Sequence, residues 1–243
     1  RIIFDRPAAR NAMTWTMYDQ LGAACERVRA DPDARVVVFR GAGGKAFVAG
    51  TDIGQFRDFK SGEDGVNYER RMAGYLAAVE GLPVPTLAVI EGWAIGGGLA
   101  IAAACDLRIA TPGSRFGVPI ARTLGNCLSI ANYAVLVAVL GLARTKRMLL
   151  LAENLTAEEL VGAGFLAEII SPADLDARVE QLCSRLAGNA PITMRVTKES
   201  LRRLLHAGLP GGEDLIRECY GSEDFHIGVD SFLEKRDPVW IGK

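Results

Sequence analysis

At 243 residues, with 49% hydrophobic and 23% charged residues, the chain is long enough to bury a large core and has the composition of an ordinary globular protein. A net charge of −1 excludes an electrostatic case for nucleic acid or for an anionic membrane surface. Five scattered cysteines, odd in number and without C-x-x-C spacing, argue for reduced thiols in a cytoplasmic protein and against zinc; only two histidines make a His-rich metal site unexpected.

The opening "RIIF" (1–4) reads as a strand end, so the chain is expected to begin mid-pattern, and no signal peptide is read from it. Thr14 is an expected N-cap for a helix to Ala30, whose apolar residues recur at near-helical spacing. "RVVVFRG" (35–41) has the β-branched profile of a strand in a parallel sheet. "GAGGKAFVAGTDI" (41–53) is expected to be a loop holding one short strand, and 66–82 a helix stopped by Gly81 and the Pro83/Pro85 pair.

The most apolar window, 87–105, contains Glu91 and four glycines, so it reads as a buried strand (86–92), a turn and a helix (97–105) rather than a bilayer span. Short strands follow at 107–111 and 115–118 around Pro112-Gly113. Helices are expected at 128–140, 143–152, 157–163, 173–187, 192–206 and 213–227, with 165–170 the one strand among them. Strand–helix alternation followed by a helical tail predicts an α/β core with a helical C-terminal part.

Two glycine-rich loops each follow an expected strand. Neither is a nucleotide loop: Gly44-Lys45 is followed by Ala46 instead of Ser or Thr, and the first loop runs into the strand-like "AFVAG" rather than a helix. "GGG" at 96–98 sits instead between a strand and a helix, where the first N–H groups lack intrahelical acceptors and the helix dipole favours negative charge. Without Cβ atoms, a ligand carbonyl can approach the main chain closely, and "AGTD" (49–52) is the candidate source of a second donor. Tight helix–strand packing through glycine is the alternative.

"KAFVAGTDI", "PVPTLAVIEGWAIGGGLAIAAACDLRIA" and "RFGVPI", with "DRPAARNAM", "NLTAEELVGAGFLAEII" and "SFLEKRDPVW", together resemble the crotonase (enoyl-CoA hydratase/isomerase) family in order along nearly the whole chain. The resemblance implies an α/β spiral of ββα units with a helical C-terminal trimerisation region, divided as a core over 1–185 and a helical part over 186–243 of the same folding unit. It implies homotrimers that often pair into hexamers, an acyl-CoA thioester as substrate, coenzyme A present only as part of that substrate, and no separate cofactor, metal, nucleic acid or membrane partner. The thioester enolate would be held by the backbone N–H groups of Thr51 and Gly97. Ala49, Thr51, Asp52 and Ile53 would line the CoA site, and Arg6, Arg10 and Lys235 are candidate phosphate contacts, Lys235 across a subunit boundary.

The chain departs from that pattern at both catalytic carboxylates. The glutamate of "GGGxE" is Ala100 and that of "FGxPE" is Ile120; no Asp or Glu occurs between Asp106 and Glu153. General acid–base help is worth roughly 10²–10⁴-fold, so ordinary hydration is in doubt. The expectation is an acyl-CoA enzyme working through an enolate, with isomerase, decarboxylase or hydrolase chemistry, or a non-catalytic acyl-CoA-binding protein, as alternatives.

Several further polar groups admit both a functional and a structural role. Arg122 either clamps a substrate carboxylate or is solvated, and Asn126 either orients a carbonyl or water or N-caps the next helix. Cys127 reads as a small buried residue. Tyr68, Glu69, Arg71 and Tyr75 lie on the helix after the first loop, a region from which the resemblance implies that some family members recruit catalytic groups; its charges are expected to be mostly solvated, and Glu91 exposed. Asp106 is expected to pair locally, and His206 and His226 to be structural.

Overall fold

The computed structural model describes residues 1–242. Two sheets interleave along the chain. β1 (Ile2–Phe4), β2 (Val37–Gly41), β4 (Thr86–Ile90), β6 (Leu107–Ala110) and β9 (Glu168–Ile169) form a five-stranded sheet in the order β1-β2-β4-β6-β9, parallel throughout. β3 (Ala46–Ala49), β5 (Trp93–Ile95) and β7 (Arg115–Gly117) run parallel in a second sheet, closed by antiparallel β8 (Leu155–Thr156). Successive strand pairs β2/β3, β4/β5 and β6/β7 each give one strand to each sheet before the chain enters a helix. This is the expected spiral of ββα units.

The strands buried on both faces read as continuous apolar runs: every residue of β4 is buried. Helix α1 (Trp15–Ala30) begins where foreseen, with the Thr14 side chain accepting from Met17 N. α2 (Gly62–Glu80) starts four residues before its expected position, because Ser61 and Asp64 form a capping box that a search for apolar periodicity passes over. α3 (Gly97–Ala104) is almost wholly buried, which its alanines permit.

The remaining helices are α4 (Ile120–Thr123), α5 (Ile130–Leu140), α6 (Leu142–Leu150), α7 (Ala157–Gly162), α8 (Leu175–Ala187), α9 (Pro191–His206), α10 (Glu213–Tyr220) and α11 (Glu223–Glu234). Three expectations change. β5 lies inside what read as a turn, and β8 adds a second strand to the helical half. The single helix expected over 213–227 is two, parted at Gly221 because the Ser222 side chain caps a new start by accepting from Phe225 N.

The C-terminal part is anchored to the spiral by polar ties as well as apolar packing. Lys198 on α9 donates to the Val84 carbonyl at 2.9 Å and pairs with Asp106, which also accepts from Thr86 N at 2.7 Å and Thr86 Oγ1 at 2.9 Å. Asp106 thus pairs locally, as expected. Glu91 does not stand exposed: its side chain is only 16% accessible and receives Arg40 Nε at 2.7 Å, because the strand end faces an arginine one strand away. No helix among the described residues is long and apolar enough to cross a membrane.

Candidate active site

Strand register builds the site. Ala49, the last residue of β3, pairs with Ile95, the last of β5, after a bulge between Ala46 and Val48. The chain therefore leaves the two strands side by side, and the loops Gly50-Thr51 and Gly96-Gly97 abut. A Cβ on Gly96 would lie 3.7 Å from Gly50 Cα, and one on Gly97 3.4 Å from Thr51 Oγ1. Gly96 takes φ +54 with ψ −119, a backbone that suits glycine, and this turn feeds Gly97 into the first position of α3.

The neighbouring peptide groups are occupied: Met13 N donates to Gly50 O, Asp52 N to Met13 O and Gly96 N to Gly117 O. The N–H groups of Thr51 and Gly97 have no such acceptor among the described residues. Behind them, Tyr18 Oη lies 2.8 Å and Tyr68 Oη 3.3 Å from Thr51 Oγ1, so two phenols brace the threonine side chain. Burial raises the Tyr18 phenol to about 12, which keeps it neutral.

The two loops border a cavity of about 160 Å³ running between α2, α3 and α5. Met72, Leu76, Ala103, Val118, Val135 and Leu136 give it apolar walls, and Ala100 and Ile120 also line it. The two positions at which the sequence resemblance places the absent glutamates are therefore cavity positions. At the far end Glu80 receives His206 Nε2 at 2.8 Å. No lysine, arginine or histidine is among the residues lining the cavity.

Glu69 breaks the apolar wall. It was expected to be solvated with its neighbours on α2, but it is 2% accessible and lines the cavity, whereas Arg71 points outward to Asp19. The physical reason is helical phase: Glu69, Met72 and Leu76 share one face of α2, and that face packs inward. Ser129 N donates to Oε2 at 2.7 Å and Tyr220 Oη to Oε1 at 3.0 Å. Burial nevertheless outweighs these bonds and lifts the carboxyl from its ordinary value to about 7.

This group ties stability to pH. Its native pKa stands above the unfolded one, so the native state binds the proton more tightly, and its contribution is full below about 4.5 and lost as pH rises to about 7. Glu69→Gln removes that dependence. The variant is expected to gain about 3 kcal/mol relative to the parent between acid and mildly alkaline pH, measured as the pH dependence of urea unfolding.

The other expected site residues divide. Ala49, Thr51, Ile53, Gly97 and Asn126 line the cavity. Arg122 lies exposed on α4, outside the lining. Asn126 does not cap α5, a role taken by Ser129; its Nδ2 donates to Tyr220 Oη at 3.2 Å and its buried Oδ1 has no partner among the described residues. Asp52 is engaged by Arg6 at 2.8 Å and caps a short 3-10 turn, while Arg10 and Lys235 are exposed away from the cavity. Cys219 Sγ donates to the Gly125 carbonyl at 3.2 Å, and the neighbouring Cys127 thiol is raised well above its ordinary range.

Comparison with known proteins settles the family. The family model described as enoyl-CoA hydratase/isomerase matches residues 1–243. The chain belongs to the enoyl-CoA hydratase/isomerase family. Among relatives in this family, the 2,3-dehydroadipyl-CoA hydratase of Escherichia coli strain K12 is 30% identical, covering 100% of this chain and 94% of that protein. An enoyl-CoA hydratase/carnithine racemase from Magnetospirillum magneticum superposes with a TM-score of 0.80 at 31% identity, over 99% of this chain and 91% of that one. Methylmalonyl-CoA decarboxylase in complex with 2-nitronate-propionyl-CoA superposes with a TM-score of 0.90 at 26% identity, over 99% of this chain and 94% of that one. The proteins this chain resembles thus include hydratases and a decarboxylase, and acyl-CoA compounds recur in their names.

Proposed function

We propose that this protein is an acyl-CoA enzyme that holds the thioester oxygen between the N–H groups of Thr51 and Gly97 and stabilises the enolate formed there. The observation that carries the reading is the pair of unengaged N–H groups on abutting loops at the mouth of an apolar cavity. Two preorganised donors in a site of low dielectric favour charge that develops on oxygen, and each is worth about 2.7–4 kcal/mol to a transition state. The CoA moiety enters only as part of the substrate, lying against Ala49 and Ile53, while the Arg6–Asp52 pair fixes the loop that carries Thr51.

Conventional hydration by two glutamates is not part of the reading, since Ala100 and Ile120 occupy the lining positions where those carboxylates would stand. Decarboxylation, which the likeness to methylmalonyl-CoA decarboxylase brings forward, is the weaker reading here: a substrate carboxylate would find no cation among the cavity-lining residues. Assembly into trimers or hexamers is also proposed. It is supported by the absence of buried residues on α9 and by Ile192, Val196, Leu201 and Leu204, which that helix leaves exposed.

The test is a panel of acyl-CoA thioesters followed by product mass, with a cinnamoyl-CoA chromophore as a reporter of carbonyl polarisation. A red-shifted absorbance on binding and no rapid hydration of crotonyl-CoA are expected. An unshifted bound chromophore would sink the oxyanion reading. Rapid hydration would show that a two-glutamate pair is not needed here.

A further inference from the structure

We propose that Glu69 is the proton carrier of this site, taking a proton from the carbon beside the thioester carbonyl and returning it to that carbon or to its vinylogous γ position. The proposal rests on the enolate reading above and supplies the group that reading lacks. Glu69 is a carboxylate on the cavity lining with a neutral environment around it, and Glu80, the other acidic lining residue, is held by His206. The bare helix α3 presents Ala100 and Ala103 to the cavity, while α2, also lining it, carries the carboxylate.

The surroundings are those of a working carboxylate rather than a buried accident. Asn126 Nδ2 donates to Tyr220 Oη, which donates in turn to Glu69 Oε1, so a relay of three polar groups borders the apolar cavity. Asn126 Oδ1 remains buried and unpartnered among the described residues, an acceptor open to a donor on a bound molecule. Tyr68, next to Glu69 in sequence, touches Thr51 Oγ1 and so joins this corner to the oxyanion loop. A carboxyl lifted by burial toward neutrality is basic enough to accept a proton from an activated carbon and acidic enough to give it back.

The step balances without a co-reactant. The Cα–H bond breaks and its proton joins a Glu69 oxygen. Its electron pair forms the enolate C=C as the carbonyl pair moves to the oxygen held by Thr51 and Gly97. Return of the proton to Cα restores the starting thioester. Return to the γ carbon of a β,γ-unsaturated acyl chain yields the α,β-unsaturated isomer and regenerates the carboxylate. One base suffices, in contrast with hydration.

Other titratable groups face the same corner: Tyr18 from α1, Tyr68 on α2, Cys127 ahead of α5, Tyr133 on α5, and Cys219 and Tyr220 on α10. Burial raises the four tyrosine hydroxyls still further from neutrality, and the Cys127 thiol is raised as well. Cys219 alone of this set is shifted downward, which makes it the rival to Glu69.

The test follows deuterium uptake by butyryl-CoA in D₂O and conversion of 3-hexenoyl-CoA to its 2-enoyl isomer, beside the cinnamoyl-CoA red shift. The parent is expected to exchange faster as pH rises through about 7 and then to plateau. Glu69→Gln is expected to lose about 10²–10⁴-fold in exchange with affinity and red shift unchanged, and Glu69→Asp to fall between. Tyr220→Phe removes a donor that stabilises the carboxylate and is expected to move the midpoint upward, whereas Cys219→Ser leaves it in place.

Exchange by Glu69→Gln within about threefold of the parent, or a parent that shifts the chromophore yet exchanges nothing, overturns this proposal alone. A midpoint that follows Cys219 rather than Tyr220 overturns it too. A missing red shift in the parent overturns the oxyanion reading instead.

Discussion

Gly97→Ala is expected to lower kcat/KM by about 10²–10³-fold without unfolding the protein, and Tyr18→Phe in the same chain to restore most of the loss. The added Cβ falls 2.5 Å from Tyr18 Oη and 3.4 Å from Thr51 Oγ1. Tyr18 is buried and bonded to Thr51 Oγ1 at 2.8 Å, so moving its hydroxyl aside breaks that bond and disturbs the Thr51 loop. The strain must then displace the Gly97 peptide or the Thr51 loop, which carry the two proposed donors. A displacement on the order of 1 Å is enough to cost about 10²-fold. Replacing Tyr18 by Phe removes the oxygen that the methyl group meets. Steady-state kinetics on whichever thioester the protein turns over, with thermal unfolding of each variant, checks both halves. Full activity in the single variant, or no recovery in the double one, would show that this corner does not set the rate.

The second large effect is on folding. Gly98→Ala is expected to cost about 3 kcal/mol or more, or to prevent folding, although alanine is the better helix former by about 1 kcal/mol. At Gly98 a Cβ would collide with the Val48 carbonyl, a backbone group of β3 that cannot rotate away. Gly74 is the matched contrast: it lies exposed in α2 with nothing within 4 Å of an added Cβ, so Gly74→Ala is expected to stabilise by about 1 kcal/mol. Urea unfolding of the two variants decides the matter. Equal effects at the two sites would mean that the close approach of α3 to β3 does not hold the fold together.

These contacts also explain why the glycine triplet admitted two readings from its sequence. Tight packing and the proposed oxyanion site are compatible, for neighbouring glycines take different parts. Gly98 lets α3 rest on β3, Gly96 makes the turn, and Gly97 leaves a backbone N–H at the cavity mouth. The Thr14 cap, the helix start at Gly97 and the parallel strands were legible because they depend on local pattern. β5 was not legible as a strand, since three residues between glycines carry no periodicity, and its hydrogen bonds come from β3 and β7. α2 was placed late because its first turn is polar and is secured by a capping box.

Glu69 marks the boundary most clearly. On sequence it is one charge in "NYERRM", and exposed charges on a helix are the common case. Only the packing of α2 against α3 and α10, with the N-cap of α5 beside it, turns it inward, supplies the Ser129 and Tyr220 donors, and withholds enough water to raise its pKa. Membership of a family is written in residue order, because it is a property of positions along a chain. The burial of Glu69 depends on elements 60 and 151 residues away in sequence. Its chemistry therefore exists only once those elements are brought together, because desolvation is a property of the space around a group and not of its neighbours along the chain.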